Sequence, residues 1–181
     1  MKTTFLLLLI APILTAQSIF DTYQTNDRVT YVSISPQMFS MLAKLNINVE
    51  DPEAQKFIEL VTQIKTFKLL RTDDQDISPT FSNWTHTYVK ENKLVELIQV
   101  REDETTVYFY ASQSDQDHIV DELVMLVQEE GEVSDNPEIA PQTVVLLIQG
   151  SIDLYRIASL TQKLDLPAGE QLKKLKNQVR I

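Results

Sequence analysis

The chain has 181 residues, no cysteine, and 16 Lys and Arg against 26 Asp and Glu, a net charge of −10 at pH 7. Without cysteine there is no disulfide, no thiolate metal ligand and no cysteine nucleophile, so a chain of single-domain size must hold its fold by burying a core. The acidic excess repels phosphate backbones and the basic residues are scattered apart from a short tail, which excludes nucleic acid as a partner.

At the amino terminus Lys2 precedes an apolar run, Phe5 to Ile10, which continues through Ala11, Ile13 and Leu14 to the small residues Thr15 and Ala16. This order predicts a secretory signal, residues 1–16, cleaved after Ala16. The run is shorter than the ~20 residues a membrane-spanning helix needs, and Pro12 interrupts it. Cleavage removes one charge, Lys2, leaving 15 basic residues against 26 acidic ones, a net −11. A lipid-modified cysteine at the cleavage site is ruled out, so the mature protein is expected to be periplasmic or secreted, with no stable membrane anchor.

Residues 17–28 are expected to form an exposed N-terminal segment, 29–166 a single α+β domain, and 167–181 a basic tail. Residues 29–34 alternate β-branched and aromatic side chains and predict a strand. Ser35 and Pro36 suit the start of a helix whose apolar stripe is Met38, Met41, Leu42 and Leu45. Asp51 and Pro52 repeat that signal, with Ala54, Phe57, Ile58, Val61 and Ile64 as the stripe. A strand over 66–71 follows. Ser78 and Pro79 then open a helix with Phe81, Trp84 and Tyr88 on one face.

From Leu94 the period changes. Residues 94–101 and 105–111 predict a hairpin turning at Glu102, Asp103 and Glu104. Residues 119–127 fit a strand or a helix; a strand extends the hairpin into a meander with 143–148. After Gly150 the chain is expected to turn, with Asp153 capping a last helix that buries Leu154, Ile157, Leu160 and Leu164. The order β-α-α-β-α-β-β-β-β-α describes an α+β fold, a mainly antiparallel sheet with helices packed on one face.

The chemistry-bearing residues are sparse. Only Gly131, Gly150 and Gly169 are present, too few and too dispersed for a phosphate-binding loop, a dinucleotide fingerprint or a hydrolase elbow. His86 and His118 lack the spacing that places two imidazoles on one helix face. His118 lies among Asp115, Asp117, Asp121 and Glu122, which reads as a solvated acidic turn. Asp73, Asp74 and Asp76 fail the calcium-loop pattern and read as an exposed loop. Trp84, Tyr88, Tyr108 and Tyr110 have faces that can stack on a sugar or peptide. Of these, Tyr108 and Tyr110 are the ligand-binding candidates, expected to emerge on one face of the hairpin, opposite the helices. Lys173, Lys174, Lys176 and Arg180 interleave with Leu172, Leu175 and Val179 in a soluble tail helix.

The runs Glu96-Leu-Ile-Gln-Val-Arg, Thr106-Val-Tyr-Phe-Tyr, Glu122-Leu-Val-Met-Leu-Val and Val144-Val-Leu-Leu-Ile-Gln-Gly-Ser-Ile-Asp-Leu resemble the exported bacterial proteins grouped as domain of unknown function 4252. The likeness spans about Val29 to Leu164. It implies export in a Gram-negative bacterium and carries no active-site residue across.

No catalytic residue, metal or cofactor is expected. The leading functional expectation is a non-enzymatic envelope protein that binds a protein or small ligand, in signalling or stress response. The alternatives are a carboxylate-dependent hydrolase and a structural surface component.

Overall fold

The computed structural model describes residues 18–44, 55, 58–59, 61–113, 118–131 and 141–154. Helix α1 is Ile19–Tyr23, strand β1 Thr30–Ile34, helix α2 Pro36–Lys44 and strand β2 Ile64–Thr72. Helix α3, Ser78–Glu91, follows, and then strands β3 Val95–Glu102, β4 Thr105–Ala111, β5 Ile119–Glu129 and β6 Thr143–Asp153. The six strands form one sheet in the order β1-β2-β6-β5-β4-β3, every pairing antiparallel. The fold is therefore α+β, and the ambiguous run from Ile119 is a strand.

Alternation along the strands divides the core between two faces. Val107, Phe109, Leu123, Met125, Val127, Val144, Leu146 and Ile148 share one face with Phe39 of α2 and with Val61. Tyr110, Val124, Leu126, Val145, Leu147 and Leu70 share the other with Ile19 and Phe20 of α1 and Phe81 of α3. Helices thus lie on both faces rather than one. A sheet whose central strands are apolar on both sides needs cover on both, and α2 supplies part of the second cover.

Two segments differ from expectation. Among the described side chains of α2 the buried one is Phe39, 5% exposed, whereas Met38 and Met41 are 47% and 56% exposed. The helix start is as expected, with the Met38 N–H donating to Ser35 Oγ at 3.3 Å. Residues 17–28 are not simply an exposed segment. Ile19 and Phe20 are buried, Phe20 completely. The Phe20 ring meets Trp84 edge-on at 5.5 Å, and Lys68 Nζ lies 5.7 Å above it while pairing with Asp21 at 3.6 Å.

The loop before α3 is a structural turn. Asp74 Oδ1 accepts the N–H groups of Asp76 and Ile77, at 2.9 and 3.2 Å, and Oδ2 accepts from Arg28 at 2.7 Å. Thr72 Oγ1 donates to the Arg28 carbonyl at 2.9 Å. Burial pushes the Asp74 carboxyl up, but those N–H groups and the Arg28 guanidinium outweigh it and hold its pKa below the usual value. Helix α3 ends on Lys93 at φ 54, where the Leu94 N–H reaches the Val89 carbonyl and the Lys93 N–H reaches that of Lys90. That is the pair of bonds that closes a helix through a left-handed residue.

Gly150 is not a strand exit. It lies inside β6, opposite Ile64, where the β2–β6 register shifts between Ile64 and Thr66. Its φ is +145°, and a Cβ there would stand 2.2 Å from the Gln63 carbonyl oxygen. A side chain would meet both backbone strain and a collision with main chain. Beyond Leu154 the expected last helix, like the leader and the basic tail, falls outside the described residues.

Gly150→Ala is expected to destabilise the domain by roughly 2–4 kcal/mol, from strain and overpacking together. Chemical denaturation would check this, and a midpoint equal to that of the unsubstituted protein would contradict the β6 geometry. Phe20→Ala should lose about 3–5 kcal/mol as a buried aromatic is removed. A loss of a few tenths in the same assay would mean that α1 is no part of the core.

Candidate functional site

Both tyrosines singled out by the sequence lie on one face of β4, as expected of i and i+2 positions. That face is the one α3 covers, not the opposite one. Tyr110 is 5% exposed and packs with Val124 and Leu147, while Tyr108 is half-buried. Their rings are parallel within 6°, with centroids 6.1 Å apart. This separation is close to the ~6.7 Å repeat of alternate strand residues, so the pair forms a ladder along β4. His86 meets Tyr108 edge-on at 6.4 Å, and Gln99 Nε2 donates to its hydroxyl at 3.3 Å.

Trp84 and Tyr88 belong to a second aromatic group along α3. Their rings stack at 4.6 Å, and the Tyr88 hydroxyl donates to Glu122 Oε1 at 2.6 Å. Burial, followed by the neighbouring Glu122 carboxylate, pushes the Tyr88 hydroxyl pKa upward. Glu122 is therefore bonded to the helix. Asp115 and Asp117, the other acids of that turn, lie outside the described residues.

A concave site among the described residues lies elsewhere. A cleft of about 510 Å³ opens between the first turns of α3 and the adjoining ends of β5 and β6. Ser78, Ser82 and Asn83 line it from the helix, Gln128, Glu129 and Thr143 from the strands, with Gln75 and Glu130 at its margins. Its polar groups hold one another. The Ser78 and Thr143 hydroxyls are hydrogen-bonded, Gln128 Nε2 donates to Ser82 Oγ at 2.8 Å, and Glu129 Oε2 accepts the Gln142 N–H at 3.1 Å. Glu130 pairs with Arg101 at 3.2 Å.

Strand register explains why the cleft is polar. Arg101 stands opposite Thr106, Thr106 opposite Gln128, Gln128 opposite Thr143, and Thr143 opposite Thr72. A polar row therefore crosses five strands on the α3 side. The next row inward is Gln99, Tyr108, Leu126, Val145, Leu70 and Tyr31, mostly apolar. Among the described residues the buried polar side chains are Thr72, Thr106, Thr143 and Thr85; three of these four belong to the polar row. Hydroxyls on the floor of a buried row need partners, and the α3 serine Ser78 meets that need for Thr143.

The cleft residues were missed by sequence reasoning. Their available signal was a polar residue closing each apolar strand run: Thr72, Thr106, Gln128 and Thr143. Only the register turns four separate strand ends into one row.

The fold and cleft define an α+β domain on a single six-stranded antiparallel sheet, with a polar recess at the head of its longest described helix. The chain belongs to the family described as Domain of unknown function (DUF4252), whose model matches residues 23–160. No curated protein and no solved structure matches it.

Desolvation, then the charges of Glu96 and Tyr108, push the Tyr110 hydroxyl up to about 12, from an ordinary value of about 10. The neutral phenol is thus favoured by folding. Its stabilisation is complete below the unfolded value and is lost as pH rises through the folded one. Unfolding free energy should therefore fall between pH ~10 and ~12, with a smaller fall in Tyr110→Phe. Denaturation across that range, with tyrosinate absorbance followed in parallel, checks this; equal slopes in the two proteins would contradict the buried position of Tyr110.

Proposed function

We propose that this protein is an exported, non-enzymatic component of the cell envelope, periplasmic or secreted, that acts by binding a ligand in the cleft at the head of α3. The leader-like order of residues 1–16 supports export, and the acidic composition suits a soluble surface. The observation that carries the binding reading is the lining of the cleft: preset hydroxyl and amide groups held by Ser78–Thr143 and Gln128–Ser82 contacts over a buried polar row. Groups fixed by their own hydrogen bonds lose little freedom when a ligand arrives. Concave sites with a few convergent polar groups are where ligands bind.

A carboxylate-dependent hydrolase is the competing reading, since Glu129 and Glu130 both border the cleft. It is disfavoured because each already accepts from inside the chain, Glu129 from Gln142 and Glu130 from Arg101. A free carboxyl of raised pKa beside an ionised one is what glycoside cleavage uses.

Thermal-shift screening of the mature protein against chemically diverse small ligands tests the proposal. A ligand at 100 times its Kd should add about 2.7 kcal/mol to stability, and Gln128→Ala should shrink that gain. Hydrolysis of a glycan by the unsubstituted protein, abolished in Glu129→Gln, would replace binding with catalysis. A library without a single shift would count against any cleft ligand of the kinds screened.

A further inference from the structure

The polar row that includes Gln128 and Thr143 of the cleft runs on past it to Thr106 and Arg101. On the α3 side of β4, Thr106 belongs to the polar row and Tyr108 is the next residue on the same face, about 7 Å along the strand. Helix α3 packs over β5 and β6, and at its edge lies a strip in which Tyr108 is half-buried, Gln99 and Arg101 are exposed and Thr106 is buried. His86, from α3, borders this strip and touches Tyr108.

We propose that the cleft and this strip form one elongated site for a neutral oligosaccharide, with sugar hydroxyls bonded in the cleft and a sugar ring stacked on Tyr108. The proposal rests on the binding reading above and names its ligand class. Three observations support it. Sugar hydroxyls both donate and accept, and so do the amides and hydroxyls of Ser82, Asn83 and Gln128. Among the described residues lining the cleft none is Lys or Arg, and the guanidinium of the strip, Arg101, is already paired with Glu130, so a bidentate cationic donor for phosphate or carboxylate is not on offer and an anionic glycan is disfavoured. Apart from Pro79 and Gly131 its lining residues are polar or acidic, so no aliphatic or aromatic side chain of the cleft is there to pack on the apolar side chains of a peptide.

Tyr108 supplies what the cleft lacks, a flat apolar face for the C–H side of a pyranose. It is also held in place. Tyr110 lies parallel to it, His86 abuts it, and Gln99 holds its hydroxyl. A ring fixed before binding adds contact area without a further loss of rotamer freedom.

Isothermal titration of the mature protein with maltotetraose, cellotetraose and tetra-N-acetylchitotetraose tests this, with a Ser-Gly tetrapeptide amide and spermidine as the competing chemistries. At least one tetrasaccharide should bind with a Kd of about 0.1–1 mM, as expected of a small polar ligand. Tyr108→Ala should weaken it roughly 3–10-fold. Tyr108→Leu, which keeps apolar bulk without a flat ring, should weaken it similarly, and it keeps the test available if the alanine variant fails to fold. Gln128→Ala should weaken the same ligand. No binding by any of the three saccharides overturns the proposal. Saccharide binding that responds to Gln128→Ala but to neither Tyr108 variant overturns the extended site and leaves the cleft standing. Binding of the peptide or spermidine instead, lost in Gln128→Ala, overturns the saccharide assignment while the cleft reading survives.

Discussion

Leu123 to Val127 in β5 and Thr143 to Ile148 in β6 are buried without a break. Consecutive strand residues point to opposite faces, so these two strands at the centre of the sheet need cover on both sides at once. An antiparallel sheet often leaves one face to water, and such a sheet can dispense with helices there. This one cannot. The demand for cover explains why α1 and α3 lie over Leu70, Val124, Leu126 and Val145 while α2 brings Phe39 to the other face. It also explains why a five-residue helix at the start of the domain is worth ordering: Phe20 joins α3 in covering the β2 side of this face.

Helix α3 occupies its position by two kinds of contact. Along most of its length aromatic and aliphatic side chains meet the apolar rows of the sheet, with Phe20 and Tyr23 of α1 set edge-on to Trp84 and Phe81. At its first turns those rows give way to Thr143, Gln128 and Thr106, and the helix answers with Ser78 and Ser82. The change is abrupt because a strand contributes one residue per row to each face. One polar residue at the end of each strand is enough to turn a hydrophobic contact into a hydrogen-bonded one. The recess opens where this changeover occurs, since small hydroxyl side chains occupy less volume than the leucines and valines one row inward.

Much of the architecture was legible in the sequence because local signals agreed with tertiary ones. The Ser35-Pro36 start, the helix from Ser78, the hairpin turning at Asp103, whose φ is 50°, and the antiparallel order were all readable from capping residues and periodicity. The run from Ile119 was ambiguous for a physical reason. Burial on both faces erases the alternation that marks a half-buried strand, and an unbroken apolar run fits either element. Met38 and Met41 misled because spacing identifies a helix face without saying whether the fold buries it. Ile19 and Phe20 were passed over because a helix of one turn has no periodicity to read.

The site was far less legible. Tyr108 and Tyr110 were correctly assigned to one strand face, but which face the helices would cover depends on contacts between residues dozens of positions apart. Gly150 shows the same limit: its need for glycine arises from the Gln63 carbonyl just before the neighbouring strand β2, not from the strand end that its surroundings suggested. The row from Thr72 to Arg101 is the furthest case, since five ordinary polar residues gain meaning only when antiparallel register aligns them. Register is itself a product of the apolar pattern, because slipping a strand by one residue would turn its buried side chains outward. The core that fixes Leu126 opposite Val145 therefore also fixes Gln128 opposite Thr143, and the polar recess is positioned by the hydrophobic residues beside it.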